Sequence, residues 1–226
     1  YNPDFTIVNG ENAASNGRGL TKEIYYAFRD MGADCVTMGN HTWGQSEVFD
    51  FIDDEERLIR PANFPEGTPG KGYTILSTPK GKLVVINLLG RTFSSISLDC
   101  PFRTADAIIK SVSGNPYIFV DIHAETTSEK QALAWYLDGR VSAVIGTHTH
   151  VQTADERILP KGTGYLTDVG MTGPYNSVIG MEVEAVVRRF ITQLPVRFEV
   201  SNEGFVLQGV LLEFDSMTKR TKKLKR

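Results

Sequence analysis

Apolar residues along this chain fall into two spacings, short unbroken runs and a period near 3.6, and the spacing predicts most of the elements. "DFTIVNGEN" (Asp4 to Asn12) reads as a buried strand running into a turn. Thr21 is placed to cap a helix whose Ile24, Phe28 and Met31 fall at i, i+4 and i+7, with Gly32 as its stop. "DCVTMGNH" (Asp34 to His41) is a second strand, and Ser46 caps a short helix through Val48 and Phe51. Leu58 to Gly72 reads as loop, because three prolines and three glycines punctuate it. "YTILST" and "LVVINL" form a hairpin across Pro79–Lys82.

Further on, a helix is predicted from Thr104 to Val112, then the strand "YIFVDI" (Tyr117 to Ile122). Thr126 and Glu129 have capping-box spacing and open a helix through Leu133 and Leu137. The strands "VSAVIG" (Val141 to Gly146) and "GYLTDV" follow, then a helix over Glu184 to Thr192. "VRFEV" (Val196 to Val200) alternates strictly, and Asn202-Glu203-Gly204 should turn it back into "FVLQGVLLEF". Strand and helix alternate over the first two thirds, and the last third turns antiparallel. The expectation is an α/β fold with a mixed sheet and helices on its faces.

Composition narrows the class little, since 41% hydrophobic and 23% charged residues are ordinary for a globular protein able to bury a core. At 226 residues one domain, 1–226, is expected. Charge changes the picture more. The net charge is -3, but Lys219 to Arg226 carries six positives, leaving -3 - 6 = -9 on the rest. An acidic body argues against a nucleic-acid groove, and the basic end reads as a solvated strand edge or a frayed end. Cys35 and Cys100 make no disulfide framework. With no signal peptide and no apolar stretch near ~18 residues, a cytoplasmic location without membrane association is expected.

Candidate chemistry gathers at the ends of the predicted strands, where α/β sheets collect functional groups. "NGEN" after the first strand supplies Glu11 and Asn12, and "GNH" after the second supplies Asn40 and His41. His123 follows "YIFVDI", and His148 and His150 follow "VSAVIG". All four histidines of the chain thus sit at strand ends. His148 and His150 should share one face by strand parity and aim at a common point. Asp121 is expected to point away. Imidazoles, a carboxylate and amide oxygens suit a borderline divalent ion such as Mn, Fe or Zn. So many donors exceed the needs of one catalytic ion with an open position. Two ions about 3.5–4 Å apart would use them, and that pairing fits in-line displacement at phosphorus. A hydroxide between them would be the nucleophile and a leftover histidine the acid.

"GEN", "GNHTW" and "GTHTHVQT", with His123 between the last two, resemble the calcineurin-like metallophosphoesterase superfamily. "VNGENAA", "TMGNHTW", "RPANFPEGTPGKG", "INLLGRTF" and "ILPKGTGYLTDVGMTGPY" extend the resemblance over nearly the whole chain, to the bacterial YmdB family of cyclic-nucleotide phosphodiesterases. The resemblance implies a four-layer α/β/β/α sandwich and a dinuclear iron or manganese site, zinc being also compatible. It implies hydrolysis of phosphodiesters, 2',3'-cyclic nucleotides above all. Carried onto this chain, Glu11 would bridge the ions with Asn12 near it. Asn40, His123 and His148 would hold one ion and His150 the other, with His41 as the acid for the leaving ribose oxygen. The family opens with a strand ending in a Gly-Asp pair whose Asp joins His150. No such pair precedes Tyr1, so that strand and its helix are expected to be missing from this chain.

Other readings stay open. Arg60 and Asn63 in "RPANFP" are candidates to touch a phosphate or base. A phosphomonoesterase or nuclease on the same site, with RNA as a second substrate class, is the enzymatic rival. A nucleotide- and metal-binding regulator with little turnover is the rival from another class. Homo-oligomers are common for small enzymes of this kind.

Overall fold

The computed structural model describes residues 2–78 and 80–226, so Pro79 of the predicted turn and Tyr1 lie outside the described residues. A first, parallel sheet has the order β1 (Ile7–Asn9), β2 (Cys35–Thr37), β3 (Leu58–Ile59). Between β1 and β2 runs α1 (Lys22–Asp30), started by the Thr21 hydroxyl, which accepts from the Ile24 amide at 3.3 Å. Gly32 ends it at φ +96°, as the sequence predicts. Met31 is not on its buried face; it is 75% exposed. Ser46–Asp50 forms a 3-10 turn begun from Gln45 without a side-chain cap. β3 lies inside the predicted loop, where two apolar residues suffice to pair with β2.

The second sheet has the order β4 (Tyr73–Thr78), β5 (Gly81–Leu89), β6 (Tyr117–His123), β7 (Ala143–Thr147), β9 (Gly164–Leu166), β8 (Arg157–Ile158). β5, β6, β7 and β9 are parallel; β4 and β8 are antiparallel edges. α2 (Pro101–Ser111) starts three residues earlier than predicted, because Pro101 suits a first helical turn. α3 (Thr127–Leu137) begins where expected, but the capping box is not made. Among the described residues the buried Thr126 hydroxyl has no partner, and the Glu129 carboxylate reaches the Arg91 and Thr92 amides instead.

Period-2 alternation sends successive strand residues to opposite faces, and three apolar clusters result. Val84, Ile86, Leu88, Val120 and Ile122 pack on Ala105 and Ile108 of α2 and Leu133 and Leu137 of α3. Leu83, Val85, Phe119 and Ile145 face Cys35 and Ile59 of the other sheet. Val36, Met38 and Leu58 pack on Leu20, Tyr25, Val48 and Phe51. Three clusters between helix, sheet, sheet and helix make four layers, the expected α/β/β/α sandwich.

The last third differs from expectation. β10 (Gly173–Pro174) pairs with β11 (Phe205–Val206), and β12 (Leu211–Phe214) with β13 (Thr221–Lys225). Residues 196–199 alternate in sequence but lie in no strand, because neither face of that stretch is buried. Of the two readings of the basic end, the structure shows the strand edge: β13 pairs with β12. α4 (Val183–Thr192) forms as predicted. Among the described residues, no helix is long and apolar enough to cross a membrane.

Candidate metal and phosphoester site

Register brings the site together. Leu89, His123 and Thr147 are adjacent partners at the C-terminal ends of β5, β6 and β7. Asn9 and Thr37 are partners at the matching ends of β1 and β2, so Glu11 and Asn40 leave from one edge. Polar side chains tie the two edges. Asn9 and Thr37 both donate to Asp121, and the Asn87 amide donates to the Met38 and Ile59 carbonyls across the sheets.

His123, 1% exposed, is the centre. The Thr147 hydroxyl donates to Asp121 at 2.7 Å and so accepts from His123 Nδ1 at 2.9 Å. That relay puts the ring proton on Nδ1 and leaves Nε2 a lone pair. Around Nε2 stand Asn40 Oδ1 at 3.0 Å, His148 Nδ1 at 3.0 Å and Glu11 Oε1 at 3.2 Å. Lone pairs meeting at such spacing repel one another unless a cation or proton lies among them. Among the described residues, no three His, Cys, Asp or Glu side chains are gathered as a finished metal cage. The donor chemistry is nevertheless that of a divalent ion, because the set includes amide oxygen from Asn40 beside imidazole and carboxylate. Space is tight: a β-carbon on Gly39 would lie 2.4 Å from His123 Nε2.

His148 and His150 do not act as an i, i+2 pair on a strand. β7 ends at Thr147, and the two histidines sit in a turn at φ +101° and +65°. Left-handed backbone costs a non-glycine residue about 1–3 kcal/mol, so the turn must be held. Asp168 holds it, accepting from the Thr149 amide at 3.0 Å and hydroxyl at 2.8 Å. Lys130 Nζ lies 2.8 Å from the same oxygen, both side chains being fully buried. The turn splits the pair. His148 reaches His123 and, through Nε2, Glu125 at 2.9 Å. His150 instead contacts Asn12 at 3.1 Å and the Ile179 carbonyl at 3.1 Å.

Glu11 lies between the two groups. Its Oε1 accepts from the His41 amide at 2.9 Å and lies 3.3 Å from His41 Nδ1. Burial would raise its carboxyl; when the His123 ring is protonated, its charge and Nε2 hydrogen bond, with the His41 amide and ring, pull the carboxyl down to about 2. His41 Nδ1 is also 3.0 Å from Asn12 Oδ1. Burial lowers the His41 pKa although Glu11 opposes it. Asn40, His41, His123 and His148 line one cavity of about 540 Å³.

Arg60 and Asn63 are not among the cavity's lining residues. The Arg60 guanidinium donates to the carbonyls of Pro61, Thr68 and Pro69, fastening the loop after β3. Asn63 is fully buried, donates to the Leu89 and Asp99 carbonyls and accepts from the Leu89 amide. Asp121, expected to point away, belongs to the site: at i and i+2 on β6 it shares the His123 face. Parity alone reveals it. Glu125 carries no motif; Thr147 and Asp168 lie within "GTHTHVQT" and "ILPKGTGYLTDVGMTGPY", but only the fold shows their part in the site.

The family described as YmdB-like protein matches residues 1–226. The 2',3'-cyclic-nucleotide 2'-phosphodiesterase of Bacillus subtilis (strain 168) is 59% identical over 227 residues, covering 100% of this chain and 85% of that protein. A crystal structure of a novel phosphatase from Mycoplasma pneumoniae superposes with a TM-score of 0.91 at 39% identity, over 98% of this chain and 80% of its own. A hypothetical protein of Thermus thermophilus superposes with a TM-score of 0.90 at 45% identity, over 98% and 86%. With the four-layer sandwich, the histidines at its strand ends and a match along its full length, the chain belongs to the YmdB-like protein family.

Proposed function

We propose that this chain is a metal-dependent phosphodiesterase acting on 2',3'-cyclic nucleotides, in one domain over 1–226. The observation that carries the reading is the gathering of Glu11, Asn40 and His148 about His123 Nε2, beside His41 and a shared cavity. The 59% identical Bacillus subtilis protein bears the name of that activity. Asn40, His123 and His148 would hold one divalent ion, and His150, with Asn12 alongside, a second, with Glu11 as a ligand common to both. Iron or manganese suits this N/O set, and zinc is compatible. The chemistry such ions supply is neutralisation of phosphoryl charge and a more acidic attacking water.

The chain's own residues do the rest. As general acid His41 is the imidazolium, protonated on both nitrogens: Asn12 Oδ1 and Glu11 accept at Nδ1 and favour the cation, and Nε2 carries the proton to be donated. Water adds to phosphorus and releases a proton to solvent, the bond from phosphorus to the ribose 2'-oxygen breaks, and the His41 imidazolium gives that oxygen its Nε2 proton and is left neutral. The product is a nucleoside 3'-phosphate. A cavity of about 540 Å³ lies within the range of small-ligand sites, and the acidic body disfavours a polymer, which sets the nuclease alternative behind. A cytoplasmic location and self-association complete the reading. Val183, Val187, Phe190 and Ile191 form an exposed apolar stripe on α4.

Elemental analysis and phosphorus NMR test it together. Two ions per chain and conversion of 2',3'-cyclic AMP to 3'-AMP are expected. His41→Ala should keep the metal and lose about 10²–10⁴-fold in kcat. Unchanged turnover in that variant removes His41 from its role, and a metal-loaded protein that leaves the cyclic nucleotide intact overturns the assignment.

A further inference from the structure

The cavity beside the histidines has a second set of lining residues that the phosphate chemistry does not use. Thr92, Phe93, Ser94, Ser95 and Ile96, from the loop between β5 and α2, line it with Asn40, His41, His123 and His148. Phe93 is 86% exposed, although a phenyl ring is ordinarily buried. Its backbone is also unusual. The Ser94 amide donates to the Arg91 carbonyl at 3.1 Å, closing a turn in which Phe93 is the third residue, at φ +61°. Glycine or asparagine ordinarily fills such a position. An exposed aromatic ring on left-handed backbone gains nothing for folding at that place.

The loop is nevertheless fixed at both ends. Glu129, from α3, accepts from the Arg91 amide at 2.9 Å and the Thr92 amide at 3.2 Å. Asn63 clamps Leu89 to Asp99 where the loop leaves and returns. Side chains from two other parts of the fold therefore present a bare ring at the cavity that holds the phosphoester chemistry.

We propose that Phe93 is the platform on which the base of a nucleotide substrate stacks while its cyclic phosphate lies at the histidines. Every base has a π-face, so a platform of this kind accepts all four and discriminates nucleotides from diesters that lack a base. Phe93 is then a specificity-determining residue. This rests on the phosphodiesterase reading above.

The test compares two five-membered cyclic diesters, 2',3'-cyclic AMP and glycerol 1,2-cyclic phosphate, on the metal-loaded protein. Phe93→Ala should lower the ratio of their kcat/KM values about tenfold, mainly through KM for the nucleotide, and Phe93→Trp should restore the ratio. A ratio that stays constant in Phe93→Ala, both substrates moving equally or neither moving, overturns the proposal. If the unaltered protein hydrolyses neither diester, the phosphodiesterase reading falls, and calorimetric binding of AMP decides about Phe93. Weaker binding by Phe93→Ala then supports the platform, and equal binding removes it.

Discussion

At the scale of single residues, the site depends on what stands behind its donors. His123 can offer Nε2 only because its other nitrogen donates to Thr147, and Thr147 accepts because its own hydrogen is donated to Asp121. Asp121 is wholly buried, which raises its pKa, while hydrogen bonds from Thr37, Thr147 and Asn9 favour the ionised form. Removing it frees Thr147 to turn its hydrogen toward His123, and the tautomer is no longer specified. Asp121→Ala is therefore expected to weaken manganese binding about 10–100-fold, as loss of an outer partner of a ligating histidine does. Calorimetric titration measures it. Unaltered affinity would show that the His123 tautomer is set elsewhere.

At the scale of elements, the turn after β7 shows how strain is held. Two histidines on left-handed backbone are fixed by Asp168, whose charge is matched inside the protein by Lys130. Lys130→Met strands a carboxylate in the core and is expected to cost about 3–5 kcal/mol in a denaturant melt, the usual effect of breaking a buried pair. A loss below ~1 kcal/mol would mean that the Thr149 and Gly170 donors alone satisfy Asp168. This device marks where sequence reasoning stops. The runs that make β5 and β6, the Thr21 cap and the histidines at strand ends are legible, because period and capping are local signals. What Glu129 or Asp168 does is not legible, since each spends its carboxylate on a segment distant in sequence. Residues 196–199 mislead for a related reason: alternation records which residues could share a face, but pairing needs a neighbouring strand.

At the scale of the whole molecule, the site joins layers. Glu11 and Asn40 leave the first sheet, and His123 and His148 leave the second, yet their donor atoms meet around one point. The Asn9, Thr37 and Asn87 bonds tie the two sheets at the same edge. An ion bound there would contact groups from both sheets at once, and the unfolded chain has no such arrangement to offer. Binding confined to the native state stabilises by mass action, about 2.7 kcal/mol when free ligand is at 100 times its Kd. Stripping the protein with a chelator is therefore expected to lower Tm by several degrees, and added Mn²⁺ to raise it again in proportion to the logarithm of its concentration. The same titration on His123→Ala should show little of that rise, because the variant removes the donor that the other three surround. An equal rise in both proteins would place the stabilising ion elsewhere, and the link between the two sheets would then rest on their apolar contact and those amide and hydroxyl bonds.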